Sequence, residues 1–273
     1  MAPAAPDAES LQHLVEAVKQ ATKYRCISDD LVQHIAVNEL AKRPDWRAAL
    51  KATKRKLHQV TAAYVLRSPD YTVLLSELRG LTVAADHAAL RAWCRQVMGQ
   101  HSSTRERLGI LDEFYATTLA SLGQVHSVLD VACGLNPLAL PWMPLTDDAE
   151  YYAYDVCEDL AGFLDGFFAA LGIAGTAVAQ DVTLSPPTQH AQLALLLKSL
   201  PCLEQIDPQA GLRLLQSLRV EHMLVSFPVH SLGGRNKGMS DYYEQHFLRL
   251  LAGQPWQVQR FSFSSEIAFL VSK

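Results

Sequence analysis

The chain lacks any uncharged apolar run approaching the roughly 18 residues of a membrane span. One candidate, Leu193 to Leu197, stops at Lys198. Residues 1–10 hold Ala, Pro and acids but no basic stretch and no apolar core, so no secretion signal is read and a cytoplasmic location is expected. Cysteine is sparse: Cys26, Cys94, Cys133, Cys157 and Cys202 are odd in number, without C-x-x-C spacing or a histidine at zinc spacing. Neither a disulfide frame nor a structural zinc site is expected, and most of the five are read as reduced core thiols. Ten histidines include no H-E-x-x-H, so no metal is expected either. Glycine and proline, 14 and 13 residues, are too few and too scattered for low-complexity or collagen-like structure.

What is present is an ordinary globular composition, 49% hydrophobic and 19% charged, over 273 residues, enough for two domains. The net charge of −4 is unevenly spread. Residues 1–120 carry 16 Lys/Arg against 13 Asp/Glu, and residues 121–273 carry 8 against 15. The first half is therefore the better suited to an anion. Its periodicity is helical: Leu11, Leu14, Val15 and Val18 recur at three- and four-residue spacing, and Ser28-Asp29-Asp30 reads as a helix start before Leu31, Ile35 and Leu40. Pro44 suits the opening of a helix running to about Leu66, and shorter helical patterns follow around 72–80, 86–99 and 104–122. From Val125 onward, β-rich runs near 125–132, 150–155, 176–181, 192–197 and 222–227 alternate with helical stretches. Two closing runs, 256–263 and 266–272, are spaced to pair antiparallel. This pattern predicts a parallel, doubly wound α/β sheet, whose ligands sit at the carboxyl ends of its strands.

Those ends carry chemistry. The first strand runs into Asp130-Val131-Ala132-Cys133-Gly134-Leu135-Asn136-Pro137, a small-residue turn with one glycine, which does not support a dinucleotide site of the G-x-G-x-x-G kind. The second ends at Asp155, placed to accept ribose hydroxyls; the third ends at Asp181, placed to accept an adenine amino proton. Each acid alone also reads as a cap or a solvated strand end. Together they favour an adenosine-type ligand without a pyrophosphate, a description that S-adenosylmethionine (SAM) fits.

The chain resembles the aminoglycoside-resistance 16S rRNA (guanine(1405)-N7)-methyltransferases over nearly its whole length. The matching segments are Lys54 to His58, His101 to Leu108, Leu111 to Tyr115, Asp130 to Leu138, Leu195 to Glu204, Ser226 to Pro228 and Ser231 to Met239. The resemblance implies a Rossmann-like SAM-dependent methyltransferase fold with a seven-stranded, mostly parallel sheet, behind an all-α domain that docks on rRNA. The boundaries expected are 1–100 and 101–273. It also implies SAM contacts from Tyr64, His101, Ser102, Ser103, Arg107, Gly134, Asp155, Asp181, Val182 and Leu197, with Arg107 on the methionine carboxylate. Two departures are the run Gln205-Ile206-Asp207-Pro208, where a family glutamine is missing, and Val229-His230, where the family has Thr and a basic residue.

In the helix expected from Asp45, the residues Arg47, Lys51, Lys54, Arg55 and His58 fall on one face beside an apolar stripe. A solvated face and a phosphate-binding face are both open on pattern alone; the resemblance points to RNA. Lys198, Arg235, Lys237 and Met239 complete the residues expected on RNA, with Gly233 to Gly238 as a loop closing over the target. Methylating guanine N7 needs no proton removed, so positioning is expected to do the work of acid–base groups. Pro201-Cys202 raises the rival of a covalent cysteine of the cytosine-C5 kind; the alternative is a small core thiol. Other readings are N1 methylation of the neighbouring adenine and a non-catalytic SAM-holding RNA-binding factor. The expected partner is the 30S subunit, engaged by a monomer.

Overall fold

The computed structural model describes residues 7–43, 45–62, 64, 69–229 and 238–273. The chain opens with helices α1 (Ala8–Lys19), α2 (Asp29–Lys42) and α3 (Trp46–Leu57). Asp45 caps α3 by accepting from Ala48 N at 2.8 Å; Pro44, expected to open this helix, lies outside the described residues. A π-helical turn, His58–Ala62, continues α3. Leu14, Val18, Leu31, Ile35, Ala49 and Leu57 form a separate small core among these three helices.

Helices α4 (Tyr71–Ala84), α5 (His87–Met98), α6 (Ser102–Arg107) and α7 (Leu111–Thr118) come next. Leu74, Leu78, Trp93, Val97, Leu111 and Phe114 share one core with Val128, Tyr151 and Leu195 of the sheet. By packing, α4 and α5 therefore go with the sheet rather than with the first three helices.

Seven strands follow: β1 (Val125–Val131), β2 (Leu145–Asp155), β3 (Ala174–Ala179), β4 (His190–Leu197), β5 (Arg219–Pro228), β6 (Gln257–Ser262) and β7 (Glu266–Ser272). Their order is β3-β2-β1-β4-β5-β7-β6. The first five are parallel, β7 runs antiparallel to β5, and β6 and β7 form the expected antiparallel pair. The continuous apolar runs Leu193–Leu197 and Met223–Val225 are those of strands covered on both faces. Helix α8 (Glu158–Leu171) joins α4 and α5 on one face. Helices α9 (Leu200–Ile206), α10 (Ala210–Ser217) and α11 (Met239–Leu251) cover the other around Leu196, Val225, Phe227 and Phe269.

Strand order reverses between β1 and β4, which makes their carboxyl ends the topological switch point. Ala132 and Lys198, immediately after those two strands, both hold positive φ, 52° and 61°. For residues with a Cβ this costs on the order of 1 kcal/mol each, a local strain typical of functional loops.

One expectation about cysteine is corrected. Cys26 and Cys157, 131 residues apart, are paired as a disulfide with Cα atoms 4.9 Å apart. The physical reason is backbone pairing: Ser28 N donates to Val156 O and Glu158 N to Cys26 O, each at 2.7 Å, which aligns the two thiols. Cys94, Cys133 and Cys202 are free.

Candidate functional site

The turn after β1 is shaped by the acid after β2. Gly134 N donates to Asp155 Oδ2 at 2.9 Å, while Asp155 Oδ1 accepts from Val156 N at 2.7 Å and Cys157 N at 3.2 Å. Burial pushes the Asp155 carboxyl up despite these three bonds. Gly134 has φ +53°, and a Cβ there would meet the His101 imidazole at 3.1 Å. The sequence therefore places glycine where backbone and a ring have to come close.

His101 caps the start of α6 and its Nδ1 lies 2.9 Å from Ser103 Oγ. Burial lowers its pKa to about 4, so the ring is neutral at physiological pH. Tyr64 stacks on it at 6.1 Å between centroids and 17° between planes. The Tyr64 carbonyl accepts from Ser102 N and Ser102 Oγ, and its hydroxyl accepts from the Cys202 thiol at 3.0 Å. Tyr64, His101, Ser102, Ser103, Gly134 and Asp155 thus form one connected wall. Burial keeps Cys202 protonated, its pKa raised, so it is not poised as the nucleophile that the cytosine-C5 rival requires.

Beneath this wall lies a buried charge network. Arg107, 1% exposed, is clasped by Glu266 through Nε at 2.6 Å and Nη2 at 3.0 Å, and its Nη1 donates to Asn136 Oδ1 at 2.9 Å. Asn136 in turn donates to Asp130 Oδ2 at 2.8 Å, which also accepts from Tyr151 Oη. Asp130 Oδ1 is buried without a partner among the described residues, and burial raises this carboxyl to about 6. Burial opposes the charge of Glu266, but Arg107 and Lys198 hold its pKa below the usual range. Lys198, one of the residues expected on RNA, belongs to this network. Its ammonium turns inward, 2.9 Å from Glu106 Oε2 and 3.3 Å from Ser103 O, with Glu266 Oε2 at 3.7 Å, because the two carboxylates supply the partners a buried cation needs. Sequence reading did not find Glu266 as a site residue. Its one signal is a lone acid opening the apolar run Ile267–Val271.

Just beyond β3, Asp181 and Val182 are buried, and the end of β4, Leu197, is 8% exposed. Asp181 Oδ1 accepts from Thr183 N and Thr183 Oγ1, and Oδ2 lies 2.8 Å from His34 Nδ1 of α2. Three of its four acceptor positions are thereby filled, which leaves one. Burial works against its charge, yet the bonds from His34 and Thr183 hold its pKa below the usual range.

On α3 and its continuation Arg47, Lys51, Arg55 and His58 are exposed and Lys54 half-buried, all on one face. Met239 opens α11 and is half-buried, behind Gly238 with φ +76°. Arg235 and Lys237, like His230 and the expected closing loop up to residue 237, lie outside the described residues. No helix among the described residues is long and apolar enough to cross a membrane.

The switch-point turn, the acid after β2, the glycine cradle and the antiparallel β6–β7 closure define a SAM-dependent methyltransferase, and these residues fit that cofactor. The chain belongs to the ribosomal RNA methyltransferase (FmrO) family, whose profile matches residues 20–271. It is 35% identical over 275 residues to a 16S rRNA (guanine(1405)-N(7))-methyltransferase of Micromonospora echinospora, with the whole of both chains covered. An enzyme of the same name from Serratia marcescens is 31% identical over 97% of this chain and 99% of its own. The structure of the 16S rRNA methyltransferase RmtF with S-adenosyl-L-homocysteine superposes with a TM-score of 0.82 at 31% identity, covering 98% of this chain and 100% of that one. That of the 16S rRNA methylase RmtB gives 0.78 at 28% identity, covering 96% and 98%.

Proposed function

We propose that this enzyme methylates N7 of guanine 1405 in the 16S rRNA of the 30S subunit, and thereby confers aminoglycoside resistance. The observation that carries the reading is the end-to-end correspondence with enzymes of that specificity at up to 35% identity. When bound, SAM supplies a methyl group activated on a positively charged sulfur. Gly134 and the Tyr64–His101 stack would form the wall against which it lies, Asp155 would hold the ribose, and the Asp181–Val182 segment would hold the adenine. Arg107, its charge already paired with Glu266, would offer the methionine carboxylate one of its remaining N–H groups from below.

Guanine N7 has an in-plane lone pair and no proton. It would accept the methyl group directly, with sulfur as the leaving group and the positive charge passing to the base, so the protein's part would be to align the two. No general base is needed, and the site accords with this: His101 is held neutral, which spares the sulfonium a like charge, and Cys202 is a protonated thiol. Juxtaposition supplies the rate, and effects of this kind reach several kcal/mol. Because N7 lies in the deep groove of an A-form helix, the target nucleotide would be extruded before transfer. Arg47, Lys51, Lys54, Arg55 and His58 would take phosphates, with Arg235, Lys237 and Met239 near the extruded base, and the enzyme would act as a monomer.

The test is transfer of tritiated methyl from SAM to isolated 30S subunits, followed by reductive strand cleavage at N7-methylguanine and primer extension. A stop at position 1405 after cleavage is expected. A stop without cleavage at the adjacent adenine would instead show N1 methylation, and no transfer would leave a SAM-holding RNA-binding factor.

A further inference from the structure

We propose that helix α2 is part of the cofactor site, with Asp30 and His34 as positioning residues for the Asp181–Val182 segment that reads the adenine. This rests on the cofactor placement given above. After β3 the chain leaves the sheet, so ladder bonds no longer fix the segment; α2 does so instead. Asp30 Oδ2 accepts from Asp181 N at 2.7 Å, and His34 Nδ1 sits 2.8 Å from Asp181 Oδ2. Both bonds are sheltered, with the His34 side chain 14% and the Asp181 side chain 1% exposed.

Asp30 and His34 are four residues apart and so share one edge of the helix. The adjoining face, Leu31, Val32 and Ile35, is locked into the core with α1 and α3. The start of the same helix is tied to the other acid-bearing loop, since Ser28 N donates to Val156 O next to Asp155. One helix therefore sets the spacing between the ribose acid and the adenine segment. With Thr183 filling Oδ1 and His34 occupying Oδ2, the direction of the one remaining acceptor position of Asp181 is fixed. Adenine presents an amino donor at C6 and an acceptor at N1. Hypoxanthine presents the reverse, a carbonyl and an N1–H. A fixed acceptor therefore discriminates between the two, and a loosened one does not.

The experiment titrates the full chain calorimetrically with S-adenosylhomocysteine and with its analogue carrying hypoxanthine in place of adenine, and reads the ratio of the two affinities. The unaltered protein is expected to prefer the adenine form. His34→Ala should reduce that preference by about tenfold, the usual worth of one hydrogen bond to a charged group, mostly through weaker binding of the adenine form. His34→Asn, with an amide N–H near the place of Nδ1, should restore most of it. Asp30→Ala should act in the same direction as His34→Ala. An unchanged ratio in His34→Ala and Asp30→Ala overturns the inference, whether both affinities fall together, as for a mere scaffold, or neither does. Asp155→Ala separates the two levels: if it binds S-adenosylhomocysteine as tightly as the parent, the cofactor placement fails and this inference with it. If it binds weakly while the His34→Ala ratio stays put, only the role of α2 fails.

Discussion

Gly134 shows how much a single missing Cβ decides. Gly134→Ala adds a left-handed strain of roughly 1 kcal/mol and pushes a methyl group to 3.1 Å from the His101 ring. S-adenosylhomocysteine affinity should fall about tenfold by calorimetry, with the circular dichroism spectrum unchanged. His101 itself carries a pH prediction. Its folded pKa is depressed to about 4, whereas in the unfolded chain it protonates near the ordinary 6.5. Protons taken up only by the unfolded chain favour unfolding, so this residue's contribution to stability is complete above 6.5 and is lost as pH falls towards 4. A proton NMR titration should show the His101 ring signal unmoved between pH 8 and about 5; movement centred near 6.5 would contradict its burial. The residues that sequence reading reached here, Gly134, Asp155 and Asp181, are those whose backbone position alone suggests a ligand. Glu266 and His34 escaped because their partners, Arg107 and Asp181, lie 159 and 147 residues away, and nothing local marks such pairs.

Helix α3 separates RNA contact from cofactor binding. Lys51 and Arg55 are exposed, and neither forms an ion pair with a described residue, so their charge is free for phosphate. Lys51→Glu with Arg55→Glu should weaken binding to 30S subunits by at least tenfold at low salt and flatten its salt dependence, while S-adenosylhomocysteine affinity stays at the parent value. Filter binding across a salt series, alongside calorimetry, checks both halves. Periodicity located this helix and every strand, since a core face repeats at a spacing visible in the chain. It was weakest where burial is partial. The first residues of β2, Leu145 to Asp148, are polar or half-exposed, and the strand was read as starting five residues late. The inward turn of Lys198 was equally hidden: after an apolar strand, a lysine reads as the return to solvent, and only Glu106 and Glu266 make it a buried residue.

Across the whole molecule, the buried network ties the helices that precede the sheet to its last strand. Glu266 serves Arg107, Lys198 and Ser226 together. Glu266→Gln keeps the shape but leaves the buried Arg107 without its paired carboxylate, while Lys198 keeps Glu106, and should cost about 3 kcal/mol in urea denaturation. A loss below 1 kcal/mol would show that the pair is solvated or relaxes freely. The strand order deepens this dependence, because β7 sits between β5 and β6 and cannot be replaced by a neighbour. Arg107 is translated long before the carboxylate that balances it. A nascent chain paused ahead of residue 266 would hold a guanidinium in an apolar pocket with no counterion, so the donor cavity should stay unformed until the closing hairpin has left the exit tunnel.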